Sequence, residues 1–258
     1  MTAVRVTAII PARMGSTRLP GKPLLQIRGL PMVEHVRRRA LLSQVFCSVV
    51  VATCDGEIAD AVERYGGEVL MTSPLHRAAT DRVAEAMAKV ECSHVVNLQG
   101  DEILALPGDL IRMVSAIVAA PRTEAWNAVA RIEHQDELSD RAIVKCVVSR
   151  SNRILFCSRD FSSLPVGAAR FDPVRRILGV LAYERSFLER YSMMERTPLE
   201  LAERIDQSRI IEHDIPLQGV EFTKGYPGIN EPYEVTLVEH YLSEDPAQRD
   251  VLERLQAF

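Results

Sequence analysis

The 258-residue chain lacks a basic excess: 31 Lys and Arg stand against 35 Asp and Glu, a net charge of −4 at pH 7. That balance excludes the positive field of a nucleic-acid coat or an anionic-membrane binder, although a local basic pocket stays open. No apolar run approaches the roughly 18 residues of a membrane-spanning helix. The short apolar stretch near the start lies between Arg5 and Arg13 and reads as a buried strand rather than a signal peptide. The five cysteines (Cys47, Cys54, Cys92, Cys146 and Cys157) are odd in number and lack CxxC spacing. This excludes a disulfide framework or zinc knuckle and fits free thiols in a reducing cytoplasm. Internal repeats, low-complexity linkers and covalent-nucleophile motifs are also missing. What is present is ordinary globular composition, 47% hydrophobic and 26% charged.

Through the first half, strand-like runs alternate with helical patterns. Val4–Pro11, Ser48–Thr53, Glu68–Met71 and His94–Leu98 read as strands; Met32–Leu42, Gly56–Tyr65 and Thr80–Val90 read as helices. Such alternation, with several continuously apolar strands, predicts an α/β fold on a mostly parallel sheet. Ligands of such sheets sit beyond the carboxyl ends of the strands. Polar or Gly-rich segments follow Pro11, Thr53 and Leu98, which marks that edge as the site. In the second half, Ala142–Val148 and Ile154–Ser158 flank the turn SRSN, an antiparallel insertion. Phe161–Val174 reads as a loop and Ile177–Tyr183 as a strand. Thr197–Arg209 reads as one helix opened by Thr-Pro, Gln218–Phe222 as a strand and Pro232–Leu242 as a helix. One domain spanning residues 1–258 is expected.

The segment from Pro11 to Pro23, PARMGSTRLPGKP, follows the first strand directly. It fails the Walker A pattern: five residues separate Gly15 from Gly21, and Pro23 stands where a magnesium-binding Ser or Thr belongs. It also lacks GxGxxG. There remain a flexible Gly15, hydroxyls at Ser16 and Thr17, and cations at Arg13, Arg18 and Lys22. Main-chain amides and three cations suit a triphosphate, whose charge must be neutralised as phosphate bonds break. Asn97-Leu-Gln-Gly-Asp-Glu102 ends another apolar strand and brings Asp101 and Glu102 to the same edge, where magnesium accepts one or two carboxylates besides phosphate oxygens.

The stretch IIPARMGSTRLPGKPLLQIRGLPMVEHV is similar to the opening of the CMP-Kdo synthetases, the 3-deoxy-manno-octulosonate (Kdo) cytidylyltransferases. The likeness continues densely through VVATCDGEI, AVERYGGEVLMTSPLHRAATDRVAEA and VVNLQGDE to about residue 105, then thins to IVKCVVS, ILFCSR, LGVLAYER, TPLELAERIDQSR and PGINEP. The resemblance implies a Rossmann-like nucleotidyltransferase fold, CTP as substrate, Mg2+ and a homodimer. It implies a CTP-binding half (residues 1–125) and an acceptor-binding, dimerising half (126–258). Arg13, Lys22 and Asp101 become catalytic. Ala12, Met14, Gly15, Ser16, Thr17, Arg18, Ala78, Ala79 and Gln99 contact the nucleotide. Asp101 and Asn230 hold the metal, and Arg77, Arg159, Asp206 and Gln207 contact the acceptor.

The family pattern is altered at several points. Ala78-Ala79 stands for Ser-Gly, removing a hydroxyl and glycine's backbone freedom; Thr80 and Asp81 beside it also read as a helix start. Ile177 and Leu181 fall where the family carries a His and a Tyr for Kdo, and Asp206-Gln207 replaces Glu-Gln. Gly228-Ile-Asn-Glu-Pro-Tyr233 replaces Gly-Val-Asp-Thr-Pro-Glu, so Asn230 supplies a neutral carbonyl where the family has an acidic metal ligand. Glu231 offers compensation, and Asn230 as a helix cap is the plainer alternative. The expected function is CTP-dependent cytidylyl transfer to an anionic small molecule with release of pyrophosphate. Kdo-like sugar acids follow from the resemblance. Small phosphonates follow from the loss of polar groups at 177 and 181, with Arg159, Arg175 and Arg176 as candidate phosphonate ligands. A catalytically weak nucleotide-binding regulator and a sugar-phosphate nucleotidyltransferase are the competing readings.

Overall fold

The computed structural model describes residues 4–15, 18–76, 78–163 and 173–258. Two compact units emerge: Met1–Val114 with Tyr226–Phe258, and Ser115–Gly225.

The first unit starts with β1 (Val6–Pro11), whose six residues are all buried, as expected of a strand covered on both faces. A small ribbon of β2 (Gln26–Ile27) and β3 (Leu30–Pro31) leads into α1 (Met32–Ser43). There follow β4 (Ser48–Thr53), α2 (Gly56–Arg64), β5 (Glu68–Met71), α3 (Ala79–Met87), β6 (His94–Leu98) and α4 (Pro107–Ala119). The strands lie in the order β5-β4-β1-β6, all parallel, with Ile9 opposite both Val50 and Asn97. Their carboxyl ends at Pro11, Thr53 and Leu98 therefore share one edge.

The second unit contains β7 (Ala125–Arg131), β8 (Lys145–Val148), β9 (Arg153–Ser158), β10 (Val174–Glu184), α5 (Arg185–Met193), α6 (Pro198–Glu203), α7 (Gln207–Glu212) and β11 (Leu217–Glu221). Its order is β10-β7-β11-β9-β8. Only β7–β11 is parallel, and β8 also pairs with β10, so this sheet curls back on itself. The mixed α/β architecture with an antiparallel portion is as the sequence pattern implied. Lys145 is fully buried, and its ammonium is satisfied by the carbonyls of Asp140, Ile143 and Arg159 at 2.7, 2.8 and 2.6 Å.

One expectation fails here. Thr197–Arg209 is not one helix: α6 stops at Glu203, Arg204 adopts a left-handed backbone (φ 56°), and α7 restarts at Gln207. Nine residues along an unbroken helix would set Glu200 and Arg209 about 180° apart. The break instead brings Arg209 Nε to 2.7 Å from Glu200 Oε2, both buried, with the guanidinium 4.4 Å over the Tyr191 ring. A buried ion pair outweighs the local helical pattern. Part of the loop expected at Phe161–Val174 lies outside the described residues, and Val174 already belongs to β10.

The chain returns to the first unit with α8 (Pro232–Glu244) and α9 (Pro246–Gln256). Tyr226, Ile229, Val238 and Leu242 close a core with Ile27, Met32, Ile103 and Leu104. The segment just after the QGDE turn is thereby locked against the C-terminal helices.

Candidate active site

The glycine-rich loop leaves β1 under tight main-chain control. Ala12 N–H prolongs the β1–β4 pairing by donating to Ala52 O at 2.9 Å, and Gly21 N–H donates to Met14 O at 3.2 Å, which closes the base of the loop. Gly21 has φ +73°, a left-handed backbone that favours glycine, and it starts the 3-10 turn Lys22–Leu24. Lys22 is thus carried on a fixed turn rather than a free tether.

From there Lys22 Nζ reaches Asp101 Oδ2 at 3.0 Å and Asn230 Oδ1 at 3.2 Å. The two side chains of the ion pair are only 13% and 24% exposed, so water weakens it less than it would a surface pair. Arg18 comes beside it, its two Nη atoms 3.4 Å from Asn230 Oδ1 and 3.5 Å from Glu231 Oε1. The 228–231 segment can approach because residue 228 is glycine: a Cβ there would lie 2.9 Å from Asp101 O. Asn230 and Glu231 both donate main-chain N–H groups to Glu234 Oε2 at the start of α8. Asn230 therefore turns its side-chain carbonyl toward Lys22 rather than capping the helix.

A cavity of about 300 Å3 opens at this edge, within the usual range of small-molecule sites. Of the residues singled out in the sequence, Ala12, Arg13, Arg18, Lys22, Ala78, Ala79, Gln99 and Asp101 line it. Met14 and Gly15 continue the same loop. Ser16, Thr17 and Arg77 lie outside the described residues. Asp81 Oδ2 accepts the Ala78 N–H at 3.3 Å, in keeping with its helix-start reading.

The remaining candidates lie in the second unit, already engaged with protein groups. Gln207 is buried and donates to Asn127 Oδ1 at 2.7 Å; Asn127 in turn donates to Leu178 O at 2.9 Å, within the register irregularity of β10. The Arg159 guanidinium donates to the carbonyls of Glu203 and Arg141 at 3.0 and 2.9 Å. Asp206 is half-buried, and its carbonyl accepts the Tyr191 hydroxyl at 3.1 Å. Arg175 and Arg176 face Glu221 and Glu137, each at 3.8 Å. Leu181 is buried, while Ile177 is half-buried.

Three residues that earned no role from sequence belong to this edge. His76 lines the cavity and its Nε2 lies 2.6 Å from Glu85 Oε2, which also accepts the Ser73 N–H at 2.9 Å. That main-chain bond first, then His76, holds the Glu85 carboxyl down at about 2. Arg82 also lines the cavity, bonded to Thr72 Oγ1 and, at 3.4 Å, to Cys54 Sγ. Asp55 Oδ2 accepts the Met14 N–H at 2.8 Å. His76 and Arg82 flank the AATD stretch, which was the available signal; no motif pointed to Asp55.

Among the described residues no group of three or more His, Cys, Asp or Glu side chains gathers as a self-sufficient metal cage. The oxygens of Asp101 and Asn230 nevertheless converge on one cationic group, the Lys22 ammonium. One carboxylate and one carbonyl, both hard oxygen donors, suit a magnesium ion that takes its remaining ligands from phosphate and water.

A parallel strand edge, a cationic glycine-turned loop and a facing carboxylate define a nucleotidyltransferase. The chain belongs to the cytidylyltransferase family, whose model matches residues 7–217, and so transfers CMP from CTP. It is 36% identical over 252 residues to a 3-deoxy-manno-octulosonate cytidylyltransferase of Geobacter metallireducens, covering 93% of this chain and 98% of the relative. It is also 36% identical over 247 residues to an 8-amino-3,8-dideoxy-manno-octulosonate cytidylyltransferase of Shewanella sediminis, covering 94% and 100%. The solved structure of a CMP:2-keto-3-deoxy-manno-octonic acid synthetase complexed with CTP matches with a TM-score of 0.87 at 34% identity, over 93% of this chain and 99% of that one. The likeness read from the first 105 residues thus extends over nearly the whole chain. No helix among the described residues is long and apolar enough to cross a membrane.

Proposed function

We propose that the protein forms the CMP derivative of a 3-deoxy-octulosonic sugar acid, Kdo or its 8-amino form, from CTP with magnesium, as a cytoplasmic homodimer. The observation that carries the chemistry is the cavity lined by Arg13, Arg18 and Lys22, in which Lys22 pairs with Asp101. The acceptor class is supported by relatives of matching length that bear those names. An acceptor oxygen attacks the α-phosphorus of CTP and pyrophosphate leaves. Arg13, Arg18 and Lys22 neutralise the charge that moves onto the departing phosphates, and main-chain amides of the glycine-rich loop orient them. Gln99, Ala78 and Ala79 form the nucleoside wall. Asp101 and the Asn230 carbonyl would hold magnesium, which when bound adds positive charge beside the phosphate oxygens. Rate enhancement comes from positioning and electrostatics, with no covalent enzyme intermediate.

A small phosphonate acceptor is the second reading, favoured by apolar Ile177 and Leu181. The arginines it would call on are already engaged: Arg175 and Arg176 face carboxylates and Arg159 faces carbonyls. The sugar acid is therefore preferred. The test incubates the protein with CTP, magnesium and, separately, Kdo, 8-amino-Kdo and a panel of small phosphonates, following pyrophosphate release. Turnover with an octulosonic acid supports the proposal. Turnover with phosphonates alone reassigns the acceptor, and none with any acid returns the protein to nucleotide binding without catalysis.

A further inference from the structure

An Asp between the end of a strand and the first turn of a helix normally caps that helix with its own carboxylate. Asp55 occupies the N-cap position of α2 with extended backbone (φ −109°, ψ 120°), yet its side chain makes no capping bond. The carboxylate instead spans 41 residues of sequence and accepts the Met14 N–H at 2.8 Å. Its aim is set locally, because Asp55 N–H donates to Thr53 Oγ1 at 3.1 Å. We propose that Asp55 is a positioning residue for the nucleotide: it clamps Met14, and through Met14 the glycine-rich loop that presents Lys22. The inference rests on that loop being the CTP phosphate site.

Met14 is held through both of its main-chain polar groups. Its N–H goes to Asp55, and its C=O receives the Gly21 N–H at 3.2 Å. Gly21 O in turn accepts the Leu24 N–H at 2.9 Å, which closes the turn carrying Lys22. A charge-assisted bond at the base of the loop thus fixes the origin of the segment that ends at the Lys22–Asp101 pair. The same Asp55 oxygen lies 3.6 Å from Cys54 Sγ, and that sulfur is 3.4 Å from Arg82 Nη2, a cavity-lining guanidinium. Asp55 therefore ties the loop to the wall formed by α3 as well. The α2 N-terminus forgoes its side-chain cap, which leaves the carboxylate available to the loop.

Three substitutions separate loop clamping from helix capping. Asp55→Ala removes both possibilities. Asp55→Ser supplies a capping hydroxyl too short to span to Met14. Asp55→Asn keeps an oxygen that can accept the Met14 N–H. Two readouts are taken: protection of the Met14 amide in hydrogen exchange resolved by NMR, without nucleotide, and steady-state KM and kcat for CTP. In Ala and Ser, Met14 loses protection and KM for CTP rises about tenfold, the scale of one lost hydrogen bond to a charged group, with kcat changing less. In Ser, Tm equals or exceeds that of Ala; Asn retains the protection and a KM within about threefold of wild type. The inference is overturned if the Met14 amide exchanges as fast in wild type as in Ala. Wild-type KM in Ala overturns it too, as does Ser recovering KM together with Tm, which would make capping the whole effect. Failure of the wild type to release pyrophosphate from CTP strikes the functional reading instead, and the exchange data still judge the clamp.

Discussion

Lys22 and Asp101, 79 residues apart in sequence, form an ion pair of 3.0 Å in the lining of the cavity, and Asn230 Oδ1 lies 3.2 Å from the same ammonium. A cation, a carboxylate and a carbonyl from three distant segments thus meet where the phosphates of CTP are proposed to lie. The pairing keeps each charge balanced, and each group is available to an incoming phosphate or metal.

Under the proposed function, removing a cation that lines this cavity would leave transition-state charge uncompensated. Lys22→Ala and Arg13→Ala are each expected to slow pyrophosphate release from CTP by about 100-fold or more, the usual cost of losing one preorganised electrostatic contact. Circular dichroism and Tm should stay near wild type. Turnover within a few-fold of wild type in both variants would remove the loop from the chemistry.

The metal proposal makes opposite forecasts at two positions. Asp101→Asn should abolish magnesium-dependent turnover, and excess chelator should silence the wild type reversibly. Asn230→Asp adds a carboxylate to the donor set and should lower the magnesium concentration needed for half-maximal rate. Magnesium titrations of the three proteins at fixed CTP read both effects; an unchanged titration in Asn230→Asp would place the metal elsewhere.

Gly228→Ala tests the close approach of the last segment. A Cβ 2.9 Å from Asp101 O meets main chain, so the 228–231 segment must move away and take Asn230 with it. A loss of about 1–3 kcal/mol in urea unfolding is expected, as for other overpacked sites. The rate should fall further than in an alanine substitution at exposed Gly15, where a Cβ would meet nothing within 4 Å.

His35 sets an acid limit on stability. It is fully buried on α1, with Nε2 2.7 Å from Ile27 O. Burial first, with Arg39 and Arg38 adding to it against that carbonyl, lowers the imidazole pKa to about 4. The folded value lies below the unfolded one, so the contribution is whole above about pH 6.5 and is lost as pH falls toward 4, up to about 3 kcal/mol. Denaturant midpoints measured at pH 7.5 and 4.5 should differ by more in wild type than in His35→Gln. Equal differences would assign the acid sensitivity to other groups.

Much of the first unit was legible because its signals are local. Val and Ile runs mark β1, β4 and β6, and the cations of the loop after Pro11 suggest the phosphate site proposed above before any contact is known. In the second unit β7 was missed: AWNAVAR carries the polar Asn127 and little β-branched character, yet it lies between β10 and β11 with Trp126 fully buried. The α4 and α5 helices likewise went unassigned, and the single helix over 197–209 split because Glu200 and Arg209 pair only across a break.

The sequence by itself determined the parallel strand–helix alternation, the strand edge proposed as the site and the cationic and acidic residues gathered there, since composition and periodicity act over a few neighbours. Only the tertiary structure decided which of those groups meet. Asp55 accepts the Met14 N–H, Asn230 faces Lys22, and Gln207 is taken up by Asn127. Each outcome depends on main-chain packing between segments tens to hundreds of residues apart, where a single absent Cβ at Gly228 sets how near two strands of chain can come.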